Sequence, residues 1–221
     1  MATHSAAKVV MVALGIVLVL YLMAVVSLAC ARDVKSRYLI RVFQDTAKCL
    51  NDNDIPYVVF WGTLLGAHRE GRIIPNDDDA DFVIFGKANA DRAMALLEAR
   101  HGKRRFKAPD RKFFAADAGP FAAIHADLQY AEQQGPDNQW VRQDVMAHLG
   151  VLPADAPTRR QPISMHGVTV YMPPDTHGLL VELYGADYMT PIPYKKTEGD
   201  PRHNAHALAV RAAAKKLGLY I

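Results

Sequence analysis

From Val9 to Ala31 the chain runs 23 residues without a charged side chain, mostly Val, Leu, Ala and Met. As a helix that stretch is about 34 Å long, enough to cross a hydrocarbon core of about 30 Å. The pattern predicts a short N-terminal tail (1–8), one transmembrane helix (9–31) and a globular domain (32–221). A cleaved signal peptide is the competing reading, because Ala29-Cys30-Ala31 has the small-x-small form of a cleavage site. The apolar run is longer than a signal h-region, which favours an uncleaved anchor.

Beyond Ala31 the periods change. Tyr38, Leu39, Val42, Phe43, Ala47 and Leu50 recur at helical spacing and predict an amphipathic helix over 34–50. Tyr57 to Trp61 is β-branched and aromatic, hence a buried strand, leading through a Gly62-Thr63 turn into a short helix to Glu70. Asp79 to Phe85 alternates, with Ala80, Phe82 and Ile84 on one face and Asp79, Asp81 and Val83 on the other. A helix is expected over 90–100, then a strand over 121–130 placing His125, Asp127 and Gln129 opposite Ile124, Ala126 and Leu128. Residues 131–161 read as a polar excursion with one short helix around 141–149. A hairpin through His166-Gly167, a helix from the cap Asp175 to Tyr184, and a last helix over 203–217 complete the order. The class is α/β.

Composition narrows the function. The 221 residues are 50% apolar and 22% charged, which excludes a disordered or collagen-like chain. The formal net charge of +3 carries no nucleic-acid footprint. Cys30 and Cys49 read as packing residues rather than a disulfide. Lys8 precedes the apolar run while Arg32, Lys35 and Arg37 follow it, which favours a cytoplasmic C-terminal side.

The chemistry concentrates in Trp61-Gly62-Thr63-Leu64-Leu65-Gly66-Ala67-His68-Arg69 and Ile73-Ile74-Pro75-Asn76-Asp77-Asp78-Asp79-Ala80-Asp81. Carboxylates this close repel one another, the more so where water is partly excluded. On a strand Asp77, Asp79 and Asp81 project to one side, an array that calls for a cation. Hard oxygen ligands suit Mg²⁺ or Mn²⁺. Phe82 and Ala88 stand where an EF-hand needs Gly and Glu. The Gly62-Thr63 turn at a helix start offers backbone amides to an anion. A phosphate cradle beside a metal-binding Asp-x-Asp is the core of phosphoryl transfer.

These two blocks resemble the LicD/fukutin family of the nucleotidyltransferase-fold superfamily, with its Gly-Thr-Leu-Leu-Gly-Ala-x-Arg and Ile-Pro-x-Asp-x-Asp-x-Asp elements. Tyr184-Gly185-Ala186-Asp187-Tyr188-Met189-Thr190-Pro191 is similar to the family's C-terminal signature. The resemblance implies a mixed sheet of about five strands flanked by helices, and Mg²⁺-dependent transfer of a substituted phosphate from a CDP-linked alcohol (choline, ribitol or glycerol) to a glycan. It makes Asp77, Asp79 and Asp81 the metal ligands, with Asp79 and Asp81 catalytic. Gly62 and Thr63 become the phosphate turn, and Arg69 that block's basic residue. Asp127 is the candidate third carboxylate of a later strand, and Lys195 a candidate pocket lysine. Asn76 departs from the family, which usually has an aromatic there.

Two features carry both a functional and a bland reading. Lys103, Arg104, Arg105 and Lys107, with Arg111 and Lys112, could hold donor phosphate or form a solvated loop. His125 could bind phosphate or simply pack. The expected protein is a single-pass membrane phosphotransferase, of the secretory pathway in a eukaryote or the cell membrane in a bacterium. Nucleotidyl transfer by the same fold, and a catalytically silent binding protein, are the alternatives.

Overall fold

The computed structural model describes residues 2–75, 77–102, 106–107, 111–114, 124–143 and 150–191. Asn76, Lys103, Arg104, Arg105, Lys195, most of the helix expected over 141–149 and the last helix over 203–217 lie outside the described residues.

The two helices expected at the N-terminal end form one, α1 (Ala2–Asp52). Arg32 to Tyr38 contains neither Gly nor Pro, so nothing breaks the hydrogen-bond ladder between the apolar run and the amphipathic segment. Leu39, Val42, Phe43, Ala47 and Leu50 are buried. Asn53 closes the helix by donating its side-chain amide to the Cys49 carbonyl at 2.9 Å. Cys30 and Cys49 are both free thiols.

Strand β1 (Tyr57–Val59) is shorter than expected, because Trp61 already opens α2 (Trp61–Glu70). The predicted Gly62-Thr63 turn is therefore the first turn of a helix. β2 (Asp79–Phe85) begins at Asp79, so Asp77 lies in the turn before the strand rather than on it. The alternation of β2 also ends early: Val83 and Phe85 are buried along with Phe82 and Ile84, since the strand's second half is covered on both faces. α3 (Lys87–His101) buries Ala90, Ala93 and Leu97. Two short strands follow, β3 (Phe106–Lys107) and β4 (Lys112–Phe114), then β5 (His125–Gln134).

The polar excursion expected after residue 130 is partly sheet. β5 continues to Gln134, turns through Gly135 to Asn138 and returns as β6 (Gln139–Arg142). Trp140 and Val141 favour a strand, a local signal outweighed in the sequence by the polar residues around them. A single helical turn, α4 (Ala156–Arg159), leads to the hairpin of β7 (Gln161–Met165) and β8 (Val168–Met172). α5 (Thr176–Tyr184) is capped as expected, the Asp175 carboxylate accepting from the Gly178 amide at 2.9 Å.

Six strands form a mixed sheet in the order β1-β2-β5-β4-β3, with β6 pairing to the far half of β5. Among the described residues only β2 and β5 pair in parallel, in a register that sets Asp79 beside His125 and Asp81 beside Asp127. α1 and α3 pack against β2 and β5, and the β7–β8 hairpin packs against α1 and β1.

The return from α2 to β2 depends on Gly66. A Cβ there would run into the Arg72 carbonyl and lie 3.2 Å from Ile74. Gly66→Ala should force the Arg72–Ile74 segment outward and destabilise the protein by about 1–3 kcal/mol, the usual cost of overpacking. Chemical denaturation of the two proteins checks this; equal midpoints would show that the segment gives way freely.

Candidate functional site

The site forms where the end of β1, the start of α2 and the beginnings of β2 and β5 meet. Two hydrogen bonds fix α2 to β2: the Phe60 amide donates to the Asp81 carbonyl at 3.1 Å, and the Asp81 amide to Thr63 Oγ1 at 2.9 Å. Thr63 is thus a buried latch, its hydroxyl accepting from β2 while its O–H remains able to donate. Gly62 keeps the turn against the acidic run. A Cβ on it would lie 3.1 Å from Asp77 Oδ2, so the carboxylate rests against bare backbone.

The carboxylates divide into two overlapping groups. Asp77, Asp78 and Asp79 bring ligand oxygens within 4.8 Å of one another, and so do Asp79, His125 and Asp127. Asp79 belongs to both. Asp77 is shaped by its turn, its amide donating to the Ile74 carbonyl at 3.2 Å while its Oδ1 accepts from the Asp78 amide at 3.0 Å. The Asp78 carbonyl in turn accepts from the His125 amide at 3.2 Å, which extends the parallel pairing into the acidic run. Asp78 is a member that the period-two pattern does not select, whereas His125 shares the face of Asp127 that the alternation of β5 gives it. Asp81 falls in neither group among the described residues, yet burial and the charges of Asp79, Asp127 and Asp77 push its carboxyl well above the ordinary carboxylate range.

Cations surround the acids. Lys112, opposite Asp127 across β4 and β5, places Nζ 3.4 Å from Asp127 Oδ1 and 2.9 Å from His125 Nε2. His125 Nε2 is also 3.4 Å from Asp127 Oδ1. That oxygen is buried and receives no hydrogen bond among the described residues, although Lys112 and the His125 ring approach it. An acceptor-only oxygen in that position, beside a cluster of further carboxylates, fits a hard divalent cation.

Arg142 is the largest addition to what the sequence offers. It is 1% exposed, and its guanidinium lies over both Phe60 and Trp61, 4.5 and 4.6 Å from the ring centroids. Its charge opposes the upward push on Asp81. Trp61 itself has φ +43°, a left-handed conformation that is strained for a bulky side chain. The stacked guanidinium and the two hydrogen bonds at either side hold it there. No local pattern marks Arg142, which is one basic residue on a strand hidden in a polar region.

The remaining candidates separate. Arg69 sits at the far end of α2, seven residues from Gly62, with Nη2 paired to Glu70 at 2.8 Å. That pairing draws the Glu70 carboxyl below its usual range. About 10 Å of helix separates Arg69 from Gly62, and the Arg69 Nε is buried without a hydrogen-bond partner among the described residues. Lys195 is outside the described residues. The C-terminal signature reaches α2 through Tyr188, whose buried Oη lies 3.1 Å from His68 Nε2 and 2.9 Å from His177 Nδ1.

A raised carboxyl makes stability depend on pH in a defined direction. An unfolded Asp titrates near about 3.9, so from there up to the raised value the folded state holds the extra proton and stability falls as pH rises. In EDTA, the midpoint of thermal unfolding of Asp81→Asn should therefore gain on that of the wild type as pH increases from about 4. Parallel curves for the two proteins would show that Asp81 carries no such burden.

Comparison with known proteins follows the same lines. No curated protein matches the chain. Among solved structures, the antibiotic-resistance factor ANT(2'')-Ia, whose solution structure reveals substrate-regulated conformation dynamics, is similar at 16% identity and a TM-score of 0.47, covering 83% of this chain and 96% of that one. The sequence profile described as LicD/FKTN/FKRP, nucleotidyltransferase domain, matches residues 54–175, from the loop before β1 to the cap of α5. The chain belongs to the LicD/FKTN/FKRP family, whose nucleotidyltransferase domain points to a transferase.

Proposed function

We propose that the protein is a membrane-tethered phosphotransferase that moves an alcohol-phosphate from a CDP-linked donor to a glycan hydroxyl. One observation carries the reading: the start of α2 and two overlapping groups of carboxylates share one end of the β2–β5 pair. An anion site and a cation site side by side suit a diphosphate better than either would alone.

Asp77, Asp79 and Asp81 would hold Mg²⁺ or Mn²⁺, with Asp127 the carboxylate contributed by β5. When bound, such an ion supplies charge neutralisation to the diphosphate and to the departing nucleotide phosphate. The first-turn amides of α2, with Gly62 and Thr63, bind donor phosphate at the positive end of a ten-residue helix. Arg142 and Lys112 keep the acids tolerable before substrate arrives. Asp127, close to His125 and Lys112, would alternatively orient the acceptor hydroxyl and take its proton, a role that competes with holding the ion. Membrane attachment is assigned to residues 9–31 and the catalytic unit to 32–221. The helix from Met11 onward has a mean hydropathy of 2.7 over its most apolar window, high enough by length and composition to cross a bilayer.

Asp79→Asn should leave the fold intact and reduce transfer by a factor on the order of 10² or more, since it removes a charge common to both carboxylate groups. Mg²⁺ should raise the unfolding temperature of the wild type and not that of the variant. Turnover near the wild-type rate at limiting Mg²⁺ would remove the metal assignment. A CDP-alcohol labelled separately in the cytidine and in the alcohol decides the reaction: alcohol label in the acceptor is phosphotransfer, cytidine label is nucleotidyl transfer.

A further inference from the structure

The described part of α1 runs unbroken from the apolar stretch into the core. Only Arg32 to Tyr38 separate Ala31 from Leu39, the first fully buried residue of the domain, and they are helical throughout. Seven residues of helix span about 10 Å. Arg37 and Asp33 pair at 2.7 Å one turn apart, which supports a straight exit. No flexible stem intervenes there.

The direction of that exit can be read from contacts along α1. Near its C-terminal end, the Leu50 carbonyl accepts from the Ile55 amide at 2.9 Å, just before β1 starts and level with the far end of β2, where the Phe85 amide donates to Pro56. One to two turns earlier, Phe43 meets Phe82 with ring centroids 5.7 Å apart. Gln44 donates to the His166 carbonyl at 2.7 Å, and His166 Nε2 accepts from Ile73, in the segment leading to the acidic run. Going from Phe43 toward the N-terminus of α1 is therefore going from Phe82 toward Asp79. The apolar helix leaves the domain at the carboxylate end of the sheet.

The distances are short. Phe43 to Ala31 is about 18 Å of helix, and Phe82 to Asp79 is about 10 Å of strand. Along the axis of α1, Asp79 then lies on the order of 8 Å from the end of the apolar stretch, comparable to the headgroup layer on one side of a bilayer. Met11 to Val26 expose their large apolar side chains, which nothing in the chain covers among the described residues. Arg32, Lys35, Arg37 and Arg41 follow at the level where anionic headgroups would lie.

We infer that α1 holds the carboxylate end of the sheet down against the bilayer surface, so that the acceptor hydroxyl is one carried in the membrane itself, on a lipid or a lipid-linked glycan. The inference rests on the transferase reading for the reaction, but its geometry stands apart from it. A lipid-linked acceptor reaches such a site by lateral diffusion, whereas a bulky soluble acceptor would have to enter between the domain and the headgroups.

The test uses the full chain in phosphatidylcholine–phosphatidylglycerol vesicles containing nitroxide-headgroup lipid. With Cys30→Ser and Cys49 left buried, a fluorophore is placed through Pro75→Cys or, as a second site-end position, Arg72→Cys. A third protein carries it through Ala88→Cys at the far end of β2; all three positions are exposed. Quenching at Pro75 and Arg72 should exceed that at Ala88 by at least threefold; equal or reversed quenching overturns the inference. A second arm inserts four Glu-Ala-Ala-Ala-Lys repeats between Ser36 and Arg37, lifting the domain by about 30 Å. Transfer of label from the CDP-alcohol into solvent-extractable membrane lipid should fall at least tenfold, while hydrolysis of the CDP-alcohol by water is unchanged. Unchanged lipid labelling, or equally fast labelling of water-soluble glycan, overturns the inference. Absence of any Mg²⁺-dependent hydrolysis in the uninserted chain would instead defeat the transferase reading and leave the quenching result to decide the geometry.

Discussion

Carboxylates crowded at one end of a parallel strand pair are the constraint around which this domain is arranged. Like charges this close repel wherever water is partly excluded, and Asp77, Asp78, Asp79 and Asp127 bring their oxygens together in two overlapping groups with Asp81 beside them. The surroundings answer charge with charge. Arg142 is buried where its guanidinium opposes the field at Asp81, Lys112 approaches Asp127 from its own sheet, and α2 starts against Asp77 with its positive end. That arrangement offsets a repulsion which the β2–β5 register, placing Asp81 beside Asp127, itself creates.

The cost of holding the acids together is shared with backbone strain. Trp61 takes a left-handed conformation so that β1 can pass directly into α2, and the stacked Arg142 covers its ring. Because Phe60 donates to Asp81 and Thr63 accepts from it, the first turn of α2 and the acidic strand are tied into one piece. Rigidity of that kind suits chemistry in which positioning and fixed electrostatics provide most of the acceleration.

Much of this was legible in the sequence where the signal is local. The buried stripe of α1, the alternation of His125, Asp127 and Gln129 on β5, the hairpin through His166 and the cap at Asp175 all follow from period or turn chemistry. The clustering of Asp77, Asp79 and Asp81 with Gly62 and Thr63 was legible too, through the family resemblance and the repulsion such a run implies. What stayed hidden is non-local. Parallel pairing of β2 with β5 joins residues more than forty positions apart, and no periodicity records a partner. β6 escaped because four residues between polar turns carry little pattern, and Arg142 with it. Arg69 was legible as part of a recognisable block, but not its ion pair with the neighbouring Glu70 near the end of α2.

The hydrogen-bonded row of His68, Tyr188 and His177 has a bearing on where the working unit ends. His68 lies inside the stretch that matches the family, and Tyr188 lies thirteen residues beyond it. On the other side, Phe43, Ala47 and Leu50 precede the match and fill the middle of the core. A chain trimmed to residues 54–175 would keep every acid of the site while losing the helix that covers its sheet and the tyrosine that seats the end of α2. The span over which ancestry can be recognised is therefore shorter than the span that must fold together, and borders drawn by likeness would cut this protein through its interior.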